Sequence, residues 1–124
     1  MTASLGTVRT SRERFSQICL RLPEATERGG QHSAFKVREK TFAYYLDSHH
    51  GDGRLSVQVK GGPGAQDVLI QADPGRFFVA PYIGHRGWVG LYLDVGEIDW
   101  DEVEALTIES YRLVAPTRLA ALVG

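Results

Sequence analysis

The chain has little of several features that mark common protein classes. It has one cysteine among 124 residues, which excludes an internal disulfide and suits a reducing compartment. No apolar run approaches the ~18 residues of a membrane-spanning helix. The first ten residues lack the apolar core of a secretory signal. We therefore expect a cytoplasmic protein that makes no membrane contact.

Net charge is also low, at −1, which argues against a dedicated nucleic-acid binder with a basic excess. The charge is unevenly distributed, however. Residues 1–60 carry ten Lys/Arg and six Asp/Glu (10 − 6 = +4), and residues 61–124 carry four and nine (4 − 9 = −5). This split predicts either one basic and one acidic face or a random distribution over a solvated surface.

Nucleotide and metal motifs are missing as well. The segment Gly61–Gly64 lies between a predicted strand and a predicted helix, but it lacks the Lys-Ser/Thr of a phosphate loop and the spacing of a dinucleotide site. We interpret it as a turn. His49 and His50 lie near Asp47 and Asp52, yet adjacent histidines on a loop seldom converge on one ion. We expect no metal and no cofactor.

Catalytic signatures are equally scarce. The sequence contains no nucleophile elbow and no HExxH zinc motif. Cys19 falls on the apolar stripe of a predicted helix, so we interpret it as a packed small hydrophobe. His85 has no carboxylate near it in sequence to orient its ring. We predict no catalytic residue, and an enzyme using His85 is the minority hypothesis.

The chain is the length of one domain, which we place at residues 10–124 after a frayed segment 1–9. A first helix begins with the capping-box pair Thr10 and Glu13. Its apolar residues recur at helical spacing up to Pro23, and they are Phe15, Ile18, Cys19 and Leu22. Residues 22–27 are predicted to be a linker, and Gly29-Gly30 a turn.

Strands are predicted where apolar and β-branched residues alternate with polar ones. The first two, Ala34–Val37 and Thr41–Leu46, flank a polar hairpin tip at residues 38–40. In a third strand Leu55, Val57 and Val59 alternate with Ser56, Gln58 and Lys60, so we expect its polar residues to face outward. The segments Phe77–Ala80 and Trp88–Leu93 are predicted as the fourth and fifth strands.

Three further helices complete the prediction. One covers Ala65–Ala72, with Val68, Leu69 and Ala72 facing inward. A second begins at the capping pair Asp99 and Glu102 and runs to Val114, and Thr117–Val123 forms the last. The order is α-β-β-β-α-β-β-α-α. Consecutive strands with short links pair antiparallel, so the predicted class is α+β, an antiparallel sheet of about five strands with helices on one face.

The segment Arg76–Asp94 is the most unusual part of the chain. Gly84, Gly87 and Gly90 recur every third residue, which predicts sharp turns or close backbone approaches. Trp88, Gly90 and Tyr92 should face one side of their strand, and Val89, Leu91 and Leu93 the other. Trp88 packs on the sheet or stands at an exposed lip, and both alternatives remain open.

Two binding hypotheses follow from the side chains in and around this segment. Phosphate contacts from basic hairpin residues, beside a cation and flat rings, would suit DNA; the candidates are Lys36, Arg38, Lys40, Lys60 and Arg86. The alternative is a protein- or small-ligand-binding module that uses a lip of Tyr82, His85 and Trp88, with no nucleic-acid role. For Arg86, a salt bridge to the acidic second half is an equal alternative.

Several segments together resemble one family, MmcQ/YjbR. They are Leu22-Pro23-Glu24, Phe35-Lys36-Val37, Lys40-Thr41-Phe42-Ala43, the set Tyr82, His85-Arg86 and Trp88, the pair Leu93-Asp94, and Glu109–Val114. The resemblance covers Arg9 to Ala121. It implies a fold similar to CyaY/frataxin and a "double wing" DNA-binding motif, and it supplies no catalytic residues. The basic first helix departs from the acidic ridge of frataxin-type iron binding.

Overall fold

The computed structural model describes residues 10–48 and 51–123, and it has the predicted α+β architecture. The helices are α1 (Ser11–Leu20), α2 (Ala65–Ala72), α3 (Trp100–Val114) and α4 (Thr117–Ala120). The strands are β1 (Thr26–Arg28), β2 (Ser33–Val37), β3 (Lys40–Asp47), β4 (Leu55–Lys60), β5 (Phe77–Val79) and β6 (Trp88–Tyr92). A 3₁₀ turn over Gly84–Arg86 leads into β6.

The six strands form one sheet in the order β1-β2-β3-β4-β6-β5. Every neighbouring pair is antiparallel, as predicted. The sequence prediction missed β1, because Thr26-Glu27-Arg28 has no apolar residue to signal alternation. This part of the predicted linker is therefore wrong. β1 pairs with β2 along the sheet edge, where Arg28 lies opposite Ala34.

Helices α1 and α3 pack on one face of the sheet, here called the covered face. The rings of Phe15 and Phe35 meet edge-on at 5.5 Å, and those of Phe42 and Tyr111 at 5.3 Å. Both predicted helix starts are confirmed, since Thr10 and Glu13 form a capping box and the Asp99 carboxylate accepts from two backbone amides of α3. Cys19 is fully buried as predicted, and burial raises the pKa of its thiol.

A β-bulge in β3 changes which residues reach each face. The pairing with β2 jumps from Phe35↔Ala43 to Lys36↔Thr41, which leaves Phe42 without a partner. Phe42 and Ala43 consequently both join the core. Thr41 and Tyr44, on either side of them, both face the opposite side of the sheet.

The inward face predicted for α2 is wrong in part. Val68 is 66 % exposed, Ala72 is also exposed, and Leu69 and Ile70 make the apolar contacts with the core. The side chain of Gln66 sets this orientation, because its amide nitrogen donates to the Gly84 and Trp88 carbonyls at 2.9 and 2.7 Å. The last helix is shorter than predicted and ends at Ala120.

None of the helices in residues 10–48 and 51–123 is both long and apolar enough to cross a membrane.

Candidate functional site

The candidate site lies on the sheet face opposite α1 and α3, which we call the open face. It is defined by Ala34, Lys36, Tyr44, Leu46, Ser56, Gln58, Lys60, Trp88, Gly90, Tyr92 and Phe78. Cross-strand pairing aligns Ala34, Tyr44, Gln58, Gly90 and Phe78 in one row across five strands. Lys60 pairs with Trp88 at one end, and Ser56 with Tyr92 at the other.

Stacked rings cover the open face at its β5 edge. The Phe78 ring lies on Gly90, where an added Cβ would stand 2.0 Å from a ring carbon. Phe78 also stacks on Tyr92 at 4.5 Å, and the Arg54 guanidinium lies 3.7 Å from the centre of the Tyr92 ring. Only glycine fits beneath Phe78, which is the close approach that the glycine spacing predicted.

The loop from Ala80 to Gly87 borders the rest of the open face. Tyr82 adopts a left-handed backbone (φ 70) that is uncommon for a residue other than glycine, and its side chain is 83 % exposed. Gly87 (φ 89) ends the 3₁₀ turn, and an added Cβ there would stand 3.0 Å from the Gly61 carbonyl oxygen. The predicted sharp turn in this segment is therefore present.

A groove of about 450 Å³ opens at the Lys60–Trp88 end, and we call it the basic groove. Its cations are Lys40, Lys60 and Arg86, from β3, β4 and the loop before β6. Tyr44 and Trp88 provide aromatic walls, and Thr41, Ile83, Leu113 and Val114 complete the lining. None of the described residues that line it is Asp or Glu.

Five of the ten other described lysines and arginines are paired with carboxylates. Arginine–carboxylate pairs join Arg21 to Glu104, Arg38 and Arg118 to Glu24, Arg54 to Asp94, and Arg76 to Asp73 and Glu102. By contrast, Lys40, Lys60 and Arg86 form no ion pair with any described residue. The basic groove is thus a local excess of uncompensated positive charge on a protein of slightly negative net charge.

The structure brings together three of the five predicted DNA contacts, Lys40, Lys60 and Arg86. Lys36 is half-buried on the same face, as the cross-strand partner of Thr41. Arg38 lies apart at the hairpin tip, where its Nη2 donates to the Glu24 carboxylate at 3.0 Å. This hydrogen bond lowers the pKa of Glu24 and raises that of Arg38. Arg86, for which a salt bridge was the alternative, forms none with the described acidic residues.

The predicted lip residues separate into different parts of the loop region. Trp88 is 7 % exposed and packs with Tyr44 at 5.6 Å between ring centres, so it is a wall of the basic groove more than a projecting ring. Tyr82 borders the neighbouring pocket. His85 is exposed beside the Gly61–Gly64 turn and, among the described residues, contacts no carboxylate by hydrogen bond or ion pair.

The position of Lys60 depends on a buried serine of α3. Ser110 Oγ accepts from the Lys60 amide at 2.9 Å and donates to the Phe42 carbonyl at 2.6 Å. Ser110 is fully buried, so these two hydrogen bonds fix the end of β4 against β3 and α3. Sequence reasoning did not find this residue, because an isolated serine in a helix carries no pattern.

A second cavity, of about 520 Å³, adjoins the basic groove and shares Tyr44 and Ile83 with it. Leu46, Ala34 and Pro81 provide apolar walls, and Gln58 lies among them. Ser56, Gln58 and Lys60 share one face of β4, as the predicted polar face requires, but Gln58 is only 6 % exposed and Ser56 only 7 %. They do lie opposite the core, but the stacked rings and the Ala80–Gly87 loop shield them from water. We call this cavity the amide pocket, after the Gln58 side chain.

Metal ligands do not cluster in the part of the chain that the structure describes. The pair His49-His50 considered above lies outside the described residues.

The geometry defines a class: a small α+β protein whose antiparallel sheet has helices on one face and a basic groove on the other. The YjbR family model matches residues 20–113, and the chain belongs to the YjbR family. Its fold is similar to that of Deinococcus radiodurans protein DR2400, a DUF419 domain, with a TM-score of 0.70 and 22% sequence identity over 82% of this chain and 76% of that one. No curated protein matches the chain.

Proposed function

We propose that this protein binds DNA through the basic groove and catalyses no reaction. One observation carries the proposal: Lys40, Lys60 and Arg86 line a single groove without an acidic residue in its described lining. Cations in such a setting attract phosphates, and the affinity comes largely from the counterions that the phosphates release. Contacts to the phosphate backbone position a protein on DNA without reading its sequence.

The rings beside these cations support the same function. Trp88 and Tyr44 present flat surfaces next to the three charges, and sugar and base surfaces pack well on aromatic rings. Lys36 extends the basic surface along β2. Arg38 is no longer a prime candidate within this proposal, because a DNA phosphate would have to displace the Glu24 carboxylate.

The proposal includes the cytoplasm as the compartment, which a single buried cysteine suits. Within this proposal His85 is an exposed side chain beside the Gly61–Gly64 turn and not a general base. A general base needs an orienting partner, and the described residues supply none for this ring.

A salt titration with a fluorescently labelled duplex tests DNA binding. Three phosphate contacts predict a slope of log affinity against log salt near −2.7, or roughly 40-fold weaker binding at about 200 mM than at about 50 mM salt. The double variant Lys40→Glu/Lys60→Glu should bind at least about tenfold more weakly and melt at an unchanged temperature, because both side chains project from the core.

The matched control is Arg21→Glu/Arg118→Glu, which makes the same change of charge at exposed arginines beside α3 and in α4. DNA binding through the basic groove predicts a much smaller effect of this control. Binding that ignores salt, or an equal loss in both double variants, would contradict the proposal.

The alternative function is a small-ligand or protein site at the Tyr82 side of the loop. The amide pocket favours it, because its apolar walls and single buried amide are typical of ligand sites. This alternative predicts ligand binding that is indifferent to salt and to Lys40→Glu/Lys60→Glu, and the same titration separates the two functions.

A further inference from the structure

We infer that the amide pocket receives an unpaired nucleobase, whose edge hydrogen-bonds to the side-chain amide of Gln58. This inference rests on the proposed function, since the basic groove would hold the phosphates next to that base. It adds a form of DNA, single-stranded, and a residue that reads it.

Gln58 is only 6 % exposed. Its side-chain amide forms no hydrogen bond with any described residue. A buried side-chain amide without a protein partner is rare, because its donors and acceptor then depend on water or a ligand. Gln66, which bonds to the loop and to β6, shows the usual situation, with its amide nitrogen donating to two carbonyls.

Hydrogen-bonding chemistry selects the ligand. A carboxamide offers one acceptor oxygen and two N–H donors in a plane, a pattern that pairs side by side with the adjacent donor and acceptor atoms of a base edge. Gln58 lies in the middle strand row, between Tyr44 and Gly90. The Phe78 ring covers Gly90, so the open space beside Gln58 is the cavity that it lines with Pro81 and Ile83 of the loop.

The walls of the pocket suit a flat ring. Tyr44 and Tyr82 supply aromatic surfaces, and Leu46 and Pro81 supply apolar ones. The volume of about 520 Å³ is typical of a small-molecule site. Tyr82 is held there by a left-handed backbone (φ 70), and strained residues of this kind concentrate where a ligand is clamped.

Charge and continuity link the base to its phosphates. Tyr44 and Ile83 border both cavities, so a strand that lies in the basic groove passes directly to the amide pocket. Arg28 borders the far side of the pocket, and no described residue lining it is acidic. A base in a duplex is already paired and stacked and would have to leave the helix to enter, so the geometry favours single strands.

Three labelled probes of equal length test the inference: a mixed-sequence single strand, the same strand as a duplex, and an abasic strand with the same phosphates. The wild type should bind the single strand at least about tenfold more tightly than the abasic strand, because base stacking adds to phosphate contacts. Gln58→Leu should remove most of that difference and leave abasic binding unchanged.

Two controls accompany this variant. Ser56→Ala changes another buried polar residue of β4 that does not line the pocket, and it should bind all probes like the wild type. Gln58→Leu should not lower the melting temperature, because it breaks no hydrogen bond to a described residue. Should it fail to fold, Gln58→Met provides a second apolar replacement of similar length.

The outcomes separate the two levels of the proposal. Equal binding of single and abasic strands, or unchanged single-strand preference in Gln58→Leu, overturns the base pocket. Salt-sensitive duplex binding that is lost in Lys40→Glu/Lys60→Glu would then leave the proposed function standing. Failure of every probe to bind overturns both.

Discussion

Single residues on the open face are constrained by what lies directly on them. The Phe78 ring rests on Gly90 so closely that no Cβ fits between them, and it continues the stack to Tyr92 and Arg54. Gln58, in the same cross-strand row, has the opposite situation, a buried side chain with room above it. An added side-chain atom at position 90 would clash with the Phe78 ring. A change at Gln58 would instead alter a side chain that lines a cavity.

Gly90→Ala should destabilise the fold. Its methyl group would force the Phe78 ring off the sheet, and overpacking of this kind costs about 1–3 kcal/mol. Urea unfolding measures the loss. The matched control is Gly62→Ala, where an added Cβ meets nothing within 4 Å, and its unfolding free energy should change by less than about 0.5 kcal/mol. Equal effects of the two substitutions would show that packing of the Phe78 ring does not require glycine at position 90.

At the scale of elements, the ends of β4 and β6 are joined by one ion pair. The Arg54 guanidinium donates twice to the Asp94 carboxylate, both at 2.9 Å, and the Leu55 amide donates to it at 3.0 Å. The hydrogen bonds from Arg54, followed by that of the Leu55 amide, lower the pKa of Asp94. This ion pair holds the Arg54 guanidinium against the Tyr92 ring. It therefore keeps the stack of Phe78, Tyr92 and Arg54 in place on the open face.

The lowered pKa makes this clamp sensitive to acid. A carboxyl whose folded pKa is below its unfolded value of about 3.9 adds stability that is complete above that value and is lost as the pH falls through the folded pKa. Unfolding free energy should therefore drop below about pH 4 in the wild type and drop less in Asp94→Asn. Asp67→Asn, at an exposed site of α2, should follow the wild type. Parallel pH profiles of wild type and Asp94→Asn would refute a stabilising role.

The sequence predicted correctly those elements that have a clear apolar alternation or a capping motif. Alternation located β2, β3, β4, β5 and β6, and capping residues located the starts of α1 and α3. β1 escaped because it is short and polar. The burial of Ser56 and Gln58 on the predicted polar face was not foreseen, because alternation distinguishes two faces of a strand but not whether a distant loop shields the polar one. The basic residues could be nominated, but only the fold separates Arg38 from Lys40, Lys60 and Arg86.

At the scale of the whole molecule, two clusters of like charge lie on different elements. The uncompensated cations of the basic groove lie on the open face, whereas Asp99, Asp101, Glu102 and Glu104 gather at the start of α3. Glu102 and Glu104 pair there with Arg76 and Arg21, so the acidic cluster is partly neutralised, whereas the groove cations form no ion pair with the described residues. Electrostatic steering should orient an incoming phosphate chain toward the groove.

The two tryptophans would distinguish which side of the molecule the proposed DNA ligand meets. Trp88 borders the basic groove, and Trp100 begins α3, under the Arg14 guanidinium. In Trp100→Phe, DNA should change the emission of the remaining Trp88, because bases and phosphates would replace water at its ring. In Trp88→Phe, DNA should leave the emission of Trp100 unchanged. A signal from Trp100 alone would place the interface on the helical side.

Both margins of the sheet are short. β1 and β5 have three residues each, the first carrying Glu27 and Arg28 and the second followed by Pro81. Short, charged or proline-flanked margins offer few free amides and carbonyls to a neighbouring chain, which limits the growth of the sheet into fibrils or into strand-exchanged dimers. The short edges therefore protect the sheet that carries the open face from pairing with strands of other polypeptides.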